Sequence, residues 1–401
     1  MNERFDIVIA GAGMVGLTIA ALLAKSTHAE RFNVSVLDAG PEPHFDVAQE
    51  PALRVSAISP GSAEILSDAG VWDDILSTRA CPYQSMRVWD ATGDIDGPET
   101  LHFDAADLGV PELGFIVENA LIRDRLLRNL AQSGQSVQFN TRILDLHAAG
   151  DRYLVSVANR PSLRPELLVA ADGSNSGVRN AAGIKVRSWN YSQSALVTQV
   201  HCKRHHAYTA WQRFLRSGPL ALLPLSDGRV SIVWSTSTDE AERAAVASDE
   251  ELGRMLTDAS DAVLGQLVPG GPRATFPLRA QFAEQYARPG LVLTGDAAHS
   301  VHPLAGQGAN LGLADAAALV AEIEAALAGG EFPGDLPALR RYERARKGAN
   351  QLMLRFIDSI SRLFAAETRP MASLRSGGMR LFNRSGPIRR QAIQVALGLR
   401  R

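Results

Sequence analysis

The chain has 401 residues, 46% of them hydrophobic, which is enough to bury a sizeable core in one or two intimately packed domains. Its 41 basic and 43 acidic residues nearly cancel and its aromatic residues, 6% of the total, do not cluster, so nothing favours a nucleic-acid partner held by charge or by base stacking. Cys81 and Cys202 form no metal-type pair and read as free thiols, the acidic start at Glu3 and Asp6 is unlike a signal peptide, and no apolar run reaches the roughly 18 residues of a membrane span, so a cytoplasmic protein is expected.

Phe5 to Ala10 is a compact apolar run suited to a buried parallel strand. Gly11 to Gly16 turns into an apolar helix through Ala24, and Val34 to Leu37 gives a second strand ending at Asp38, which completes a βαβ unit. Past Pro41 the chain is irregular until a helix from Gly61 towards Leu76. Ser85 to Trp89 and Gly114 to Val117 alternate as strands, and Ala120 to Gln132 carries a helical period that stops before Gly134. Val137 to Phe139, Tyr153 to Val157 and Leu167 to Ala171 are further strands. From Ser192 to Ser235 the pattern predicts a separate antiparallel sheet of Ala195 to His201, Ala210 to Leu215, Leu220 to Leu225 and Arg229 to Trp234, with hairpin turns at Ser217-Gly218-Pro219 and Ser226-Asp227-Gly228. Asp249 to Thr257 is helical, Gly290 to Thr294 is a strand, and helices follow over Asn310 to Leu327 and Leu336 to Phe364.

Gly11, Gly13 and Gly16 stand at the GxGxxG spacing between a strand and a helix, with Asp38 closing the next strand. The first glycine permits a tight turn, the second lets backbone approach a pyrophosphate, and the third lets helix pack on strand; the helix N-terminus attracts the phosphate charge. Asp38 is placed to accept hydrogen bonds from a ribose. This motif does not separate NAD from FAD.

The segment LVLTGDAAHSVHPLAGQGANLGLADA separates them. It sets Gly295 and Asp296 just after a buried strand, where a carboxylate can hold a polyol hydroxyl, and follows them with Gly306, Gln307, Gly308 and Asn310 at the start of a helix. Glycines there let backbone lie against a flat ring, and a helix end stabilises the negative charge of a reduced isoalloxazine. NAD has no ribityl chain to need such a site. Asp296, His299 and His302 are spaced by threes like metal ligands, but they fall in a turn with no further Glu or Cys ligand, so no metal is expected.

GAGMVG, the Ala170-Ala171-Asp172-Gly173 segment and the Gly295-Asp296 segment together resemble the group A FAD-dependent aromatic hydroxylases of the para-hydroxybenzoate hydroxylase fold. Within that group, RVSAISPGS, WQRFLRSGPLALLPLSDGRVSIVW and HPLAGQGANLGLADA are similar to the ubiquinone-biosynthesis hydroxylases. The resemblance implies an α/β fold: an FAD-binding Rossmann-like parallel sheet from 1–80, 111–185 and 281–365, an inserted antiparallel-sheet substrate domain from 81–110 and 186–280, and a helical C-terminus with a basic amphipathic segment over 366–401.

It also implies non-covalent FAD, with Asp38 on the adenosine ribose, Asp296 on the ribitol, Arg54 near the flavin, Asn119 where relatives carry Arg or Gln, and Asp172 shared between FAD and the nicotinamide donor. The implied reaction uses NAD(P)H and O2, and a flavin C4a-hydroperoxide hydroxylates an electron-rich ring, here a polyprenylated phenol. The expected apolar substrate wall is Pro303, Leu304 and the sheet from Trp211 to Pro224; no phenol-activating base is evident. A hydroxylase of soluble phenols and a flavin oxidoreductase acting on an isoprenoid are the alternatives. The tail from Arg369 to Arg401 holds eight arginines and no acid among apolar residues, a pattern suited either to anionic lipid at the inner membrane face, to a partner protein, or to packing on the body.

Overall fold

The computed structural model describes residues 4–300 and 307–365 and, in the C-terminal segment, 377–383, 385, 386, 389, 390, 394, 397 and 398. Strand Phe5–Ala10 lies at the centre of a six-stranded sheet, paired in parallel with Phe32–Leu37 on one side and Leu167–Ala170 on the other; Leu291–Leu293 continues the parallel order beyond Leu167–Ala170. Strands buried on both faces must be apolar throughout, and Leu167 to Ala170 and Leu291 to Leu293 are all fully buried. Helix Met14–Lys25 packs between this sheet and helix Gln307–Ala328. Their close approach needs Gly312, where a Cβ would stand 2.6 Å from the Val15 side chain.

A nine-stranded sheet, mostly antiparallel, forms the second layer system. Its spine is Val186–Cys202, a 17-residue strand where the sequence suggested only Ala195 to His201; Ser192, at φ 54°, marks the irregularity that lets one strand pair with Ala274–Ala283 on both sides of it. Strand Ala274–Ala283 was not expected, and it runs across residue 280. The turn at Ser226-Asp227-Gly228 forms as expected, with Gly228 at φ 85° and the Leu225 amide donating to the Arg229 carbonyl at 2.9 Å.

One face of this sheet is sealed. Leu220, Leu222, Ile232 and Trp234 are buried against Leu252 and Leu256 of helix Asp249–Ala259. Burying each such side chain stabilises the fold by about 1.5–3 kcal/mol. The other face meets strand Val55–Ile58, where Leu223 joins the cluster around Ala57.

The helix expected from Gly61 to Leu76 is two helices, Pro60–Asp68 and Trp72–Arg79. Gly70 adopts φ 81°, and the Val71 amide reaches back to the Leu66 carbonyl at 3.0 Å, a left-handed stop that ends the first helix. Strand Ile143–Ala149 also escaped the sequence reading, because its side chains are mostly accessible and leave little alternation to detect.

Helix Leu336–Ala365 runs from the parallel sheet to the antiparallel one. Tyr342 Oη donates to the Leu293 carbonyl at 3.1 Å near one end, and Phe364 stacks on Phe214 at 4.0 Å near the other. The described part of the C-terminal segment lies on the body: Arg380 pairs with Glu99 at 3.2 Å, Asn383 Nδ2 donates to the Thr100 carbonyl at 2.8 Å, and Leu397 packs with Ala105 and Leu113.

Candidate functional site

Parallel strands present their carboxyl ends on one edge, and ligands of open α/β sheets bind in the crevice outside those ends. Ala10, Ala170 and Leu293 lie in register there, so the turns that follow them (Gly11 onward, Ala171-Asp172-Gly173 and Gly295-Asp296) come together although they are far apart in sequence.

Gly11 takes φ 103°, and its amide donates to the Leu37 carbonyl at 2.7 Å. A Cβ on Gly11 would fall 2.4 Å from the Ala171 oxygen, and one on Gly16 only 2.1 Å from the Gly11 oxygen. Gly13 differs. It is the N-cap of helix Met14–Lys25, and a Cβ there would meet nothing within 4 Å. Gly13 instead borders a cavity of about 470 Å³ that also touches Gly11, Asp38, Arg123, Thr141, Asp172 and Gly173. An open helix N-terminus facing such a cavity is suited to a pyrophosphate.

Asp38 lines this cavity as well. Its Oδ2 accepts from the Ala12 amide at 2.7 Å and its Oδ1 from the Gly40 amide at 2.8 Å. Arg123 was missed by the sequence reading. Its Nε donates to the Ala12 carbonyl at 2.6 Å and its Nη2 lies 3.5 Å from Asp38 Oδ2, which sets a cation at the cavity wall. The available signal was its position four residues after Asn119, on the same face of helix Asn119–Gln132.

Asp172 lines the cavity, but its carboxylate builds the turn: Oδ1 accepts from Ser176 Oγ at 2.5 Å and Oδ2 from the Val178 amide at 3.1 Å. Two side chains then join this turn to the next. Buried Arg179 donates to the Ser174 carbonyl at 3.0 Å and to the Ala297 carbonyl at 3.1 Å, and Gln281 Nε2 donates to the Ser174 carbonyl at 2.6 Å and the Asp296 carbonyl at 3.3 Å. Burial lowers the Arg179 pKa, while the nearby Asp172 charge opposes the shift.

Gly295 is left-handed at φ 56° and opens the short turn Gly295–Ala297. Asp296 presents an accessible side chain to the cleft, yet the fold surrounds it on most sides. That loss of solvation pushes its carboxyl above the ordinary carboxylate value, while His299 and Arg54 pull it down. The Arg54 guanidinium, exposed in the same cleft, lies 5.6 Å from the Phe276 ring centroid.

Two predicted ligands act as braces. Asn119 Oδ1 accepts from Ser56 Oγ at 2.7 Å, and the Asn119 amide donates to the Arg54 carbonyl at 3.1 Å, so this residue holds the Arg54 segment. Asn310 accepts from the Ser59 amide at 2.9 Å and donates to the Ala57 carbonyl at 2.8 Å, tying helix Gln307–Ala328 to strand Val55–Ile58. Gly308 lies in the first turn of that helix. Pro303, Leu304 and Gly306, together with His302 and the side chain of Gln307, lie outside the described residues.

Within the expected substrate wall the two faces of the sheet differ. Side chains alternate across a sheet, and Trp211 pairs with Leu222 on the sealed face, where it packs with the Leu252–Leu256 cluster. Pro224, two residues beyond Leu222, shares that face. The opposite face carries Ala221, Leu223 and Val233, which stay partly accessible in the middle of the sheet. Val233 packs on the Ala195, Val197 and Leu278 cluster that Leu53 and Phe276 also join, and Leu223 on the Ala57 cluster that Val55 also joins, so this open patch lies near the Arg54 segment.

These residues fit FAD: Gly13 and the helix end for the pyrophosphate, Asp38 for a ribose, and Asp296 as a second carboxylate for a polyol.

The FAD binding domain family matches residues 4–357. The ubiquinone biosynthesis monooxygenase COQ6 of Danio rerio is 36% identical over 98% of this chain and 90% of its own length. The 3-demethoxyubiquinol 3-hydroxylase of Escherichia coli (strain K12) is 35% identical over 99% of this chain and 100% of its own. Among solved structures, p-nitrophenol 4-monooxygenase PnpA from Pseudomonas putida DLL-E4 superposes with a TM-score of 0.77 at 19% identity, covering 100% of this chain and 99% of its own. That last likeness establishes the fold.

Proposed function

This chain belongs to the FAD binding domain family and, within it, to the hydroxylases of ubiquinone biosynthesis, and from that premise we propose that it hydroxylates the ring of a polyprenylated phenol. It is an FAD-dependent monooxygenase with NAD(P)H and O2 as co-substrates. FAD, when bound, supplies the electron transfer and oxygen activation; the chain must hold the ring, exclude water and fix the distance between them.

One observation carries the reading: the unsealed apolar patch of Ala221, Leu223 and Val233 near the Arg54 segment. A sheet centre left open on one face while the other is fully packed is a wall awaiting an apolar ligand. Gln212 lies directly opposite Ala221 in the same row, is 5% exposed, and its side-chain amide makes no hydrogen bond among the described residues. Its side-chain amide can donate to or accept from a ring hydroxyl or methoxy group held against this row.

The test is oxygen-dependent NAD(P)H oxidation by the FAD-loaded protein with a short-chain prenylated phenol, read by product mass. A product heavier by one oxygen supports the reading. NAD(P)H oxidation that yields only peroxide with prenylated phenols, together with hydroxylation of soluble phenols, replaces it with the soluble-phenol alternative.

The substrate's isoprenoid tail places it in a membrane, and we assign the peripheral contact to the C-terminal segment. Among the described residues no helix is long and apolar enough to cross a bilayer. Part of the segment's charge is already spent on the body, where Arg389 lies 4.0 Å from Asp107, while Leu381 is 70% exposed and Arg390 is also exposed. Truncation after Pro370 then abolishes flotation with anionic liposomes while FAD stays bound. Unchanged flotation removes the membrane assignment.

A further inference from the structure

Asp315 lies on helix Gln307–Ala328 and is fully buried. Its carboxylate receives four donors. Oδ1 accepts from Arg346 Nε at 2.6 Å and Asn350 Nδ2 at 3.1 Å; Oδ2 accepts from the Gly295 amide at 3.2 Å and His299 Nε2 at 2.5 Å. A buried carboxylate is strongly unfavourable unless it is paired and fully hydrogen-bonded. Here Arg346 supplies the opposite charge and every lone-pair direction has a donor, so the group is both tolerated and immobile.

The two donors on Oδ2 flank Asp296, one residue before it and three after it. A single oxygen atom therefore holds the turn on both sides of the carboxylate that faces the cleft. Gly295 alone would leave the turn free, since glycine moves readily between backbone conformations. The Ala298 amide closes the turn onto the Gly295 carbonyl at 2.9 Å, and the Ala283 amide secures Ala298 at 2.8 Å. The other two donors come from helix Leu336–Ala365, so the turn is fixed against two helices at once.

We propose that Asp315 is a positioning residue of the flavin site, holding Asp296 in place through Gly295 and His299. The inference rests on Asp296 as the ligand of the flavin's polyol chain. Asp315 itself touches no ligand, so its effect must pass through Asp296.

A double-mutant cycle on FAD affinity tests it, with fluorescence titration of the apoprotein as the readout. Asp315→Asn alone is expected to weaken FAD binding about tenfold, the effect of losing a charge-assisted hydrogen bond worth about 1.5 kcal/mol. Asp296→Ala alone weakens it at least as much. The double variant is expected to be no weaker than Asp296→Ala, because the path is already cut. Apoprotein amide exchange over residues 294–300 should quicken in Asp315→Asn but not in Leu256→Ala, which loosens the sealed sheet face instead.

Additive losses in the cycle, or unchanged FAD affinity in a folded Asp315→Asn, overturn the proposal. Unchanged affinity in Asp296→Ala overturns instead the reading it rests on. If Asp315→Asn does not fold, His299→Ala enters the same cycle, since it removes one hold on Asp296 and leaves the Arg346 pair intact.

Discussion

Gly11 and Ala171 stand back to back where two parallel strands end, so close that a Cβ on Gly11 would lie 2.4 Å from the Ala171 oxygen. The three glycines of the first turn consequently do different work. Gly11→Ala and Gly16→Ala should lower the melting temperature by several degrees, because backbone must move. Gly13→Ala should melt like the parent and lose FAD affinity by about tenfold or more, because its methyl group enters the pyrophosphate cavity. Thermal melts and FAD titrations on the three variants check this; a Gly13→Ala protein that binds FAD normally contradicts the placement of the pyrophosphate.

The two faces of the antiparallel sheet should answer differently to substitution. Trp211→Leu removes packing on the sealed face and should cost about 1–3 kcal/mol of stability while leaving KM for the phenol unchanged. Ala221→Leu fills the open face and should raise KM with little change in Tm. Gln212→Leu should keep NAD(P)H oxidation but release more peroxide per product, as an unanchored ring is hydroxylated less often. Equal KM values across the three variants would place the substrate elsewhere.

Arg123 supplies a cation to the cavity that Asp38 also borders. Arg123→Met should weaken FAD by about tenfold and flatten the salt dependence of binding, since the screened attraction to phosphate is gone. Titrations at low and high ionic strength distinguish this from a structural loss, which would leave the slope unaltered.

Burial alone would raise the Asp315 carboxyl, but His299 and Arg346 outweigh it and hold it below its ordinary value of 3.8. In the window between that lowered value and 3.8, the unfolded chain binds the proton that the folded chain refuses. Stability from this group is therefore complete above the window and falls as pH drops through it. Asp315→Asn should be less stable near neutrality and show a flatter loss on acidification; denaturant midpoints measured from about pH 6 to pH 3 read the difference.

Much of the cofactor half was legible because its chemistry is local. A left-handed glycine ahead of a helix, and a carboxylate just past a buried strand, each leave marks within a few residues, as at Gly11, at Asp38 and at Gly295-Asp296. Trp211 shows what local reading misses: its strand was found, but which face of that strand is covered depends on helix Asp249–Ala259, some forty residues away. Arg123 and Asp315 were missed for a related reason. Arg123 sits on an amphipathic helix, where a charged residue reads as solvated surface, while Asp315 sits in a largely apolar helix whose partners for a buried carboxylate come from distant segments. The break at Gly70 could have been read, since a glycine inside a helical period weakens it and can serve as a C-cap.

The order of strands in the parallel sheet also sets a schedule. Leu291–Leu293 must slot beside Leu167–Ala170 before the Gly295-Asp296 turn can exist. A ribosome adding about 5–20 residues per second has worked for on the order of tens of seconds by then. The early βαβ unit waits through that interval with one flank of its central sheet unpartnered. The cofactor site is thus completed in two instalments: the Gly13–Asp38–Arg123 end can exist well before the Asp296 end, so full grip on FAD waits for the last parallel strand.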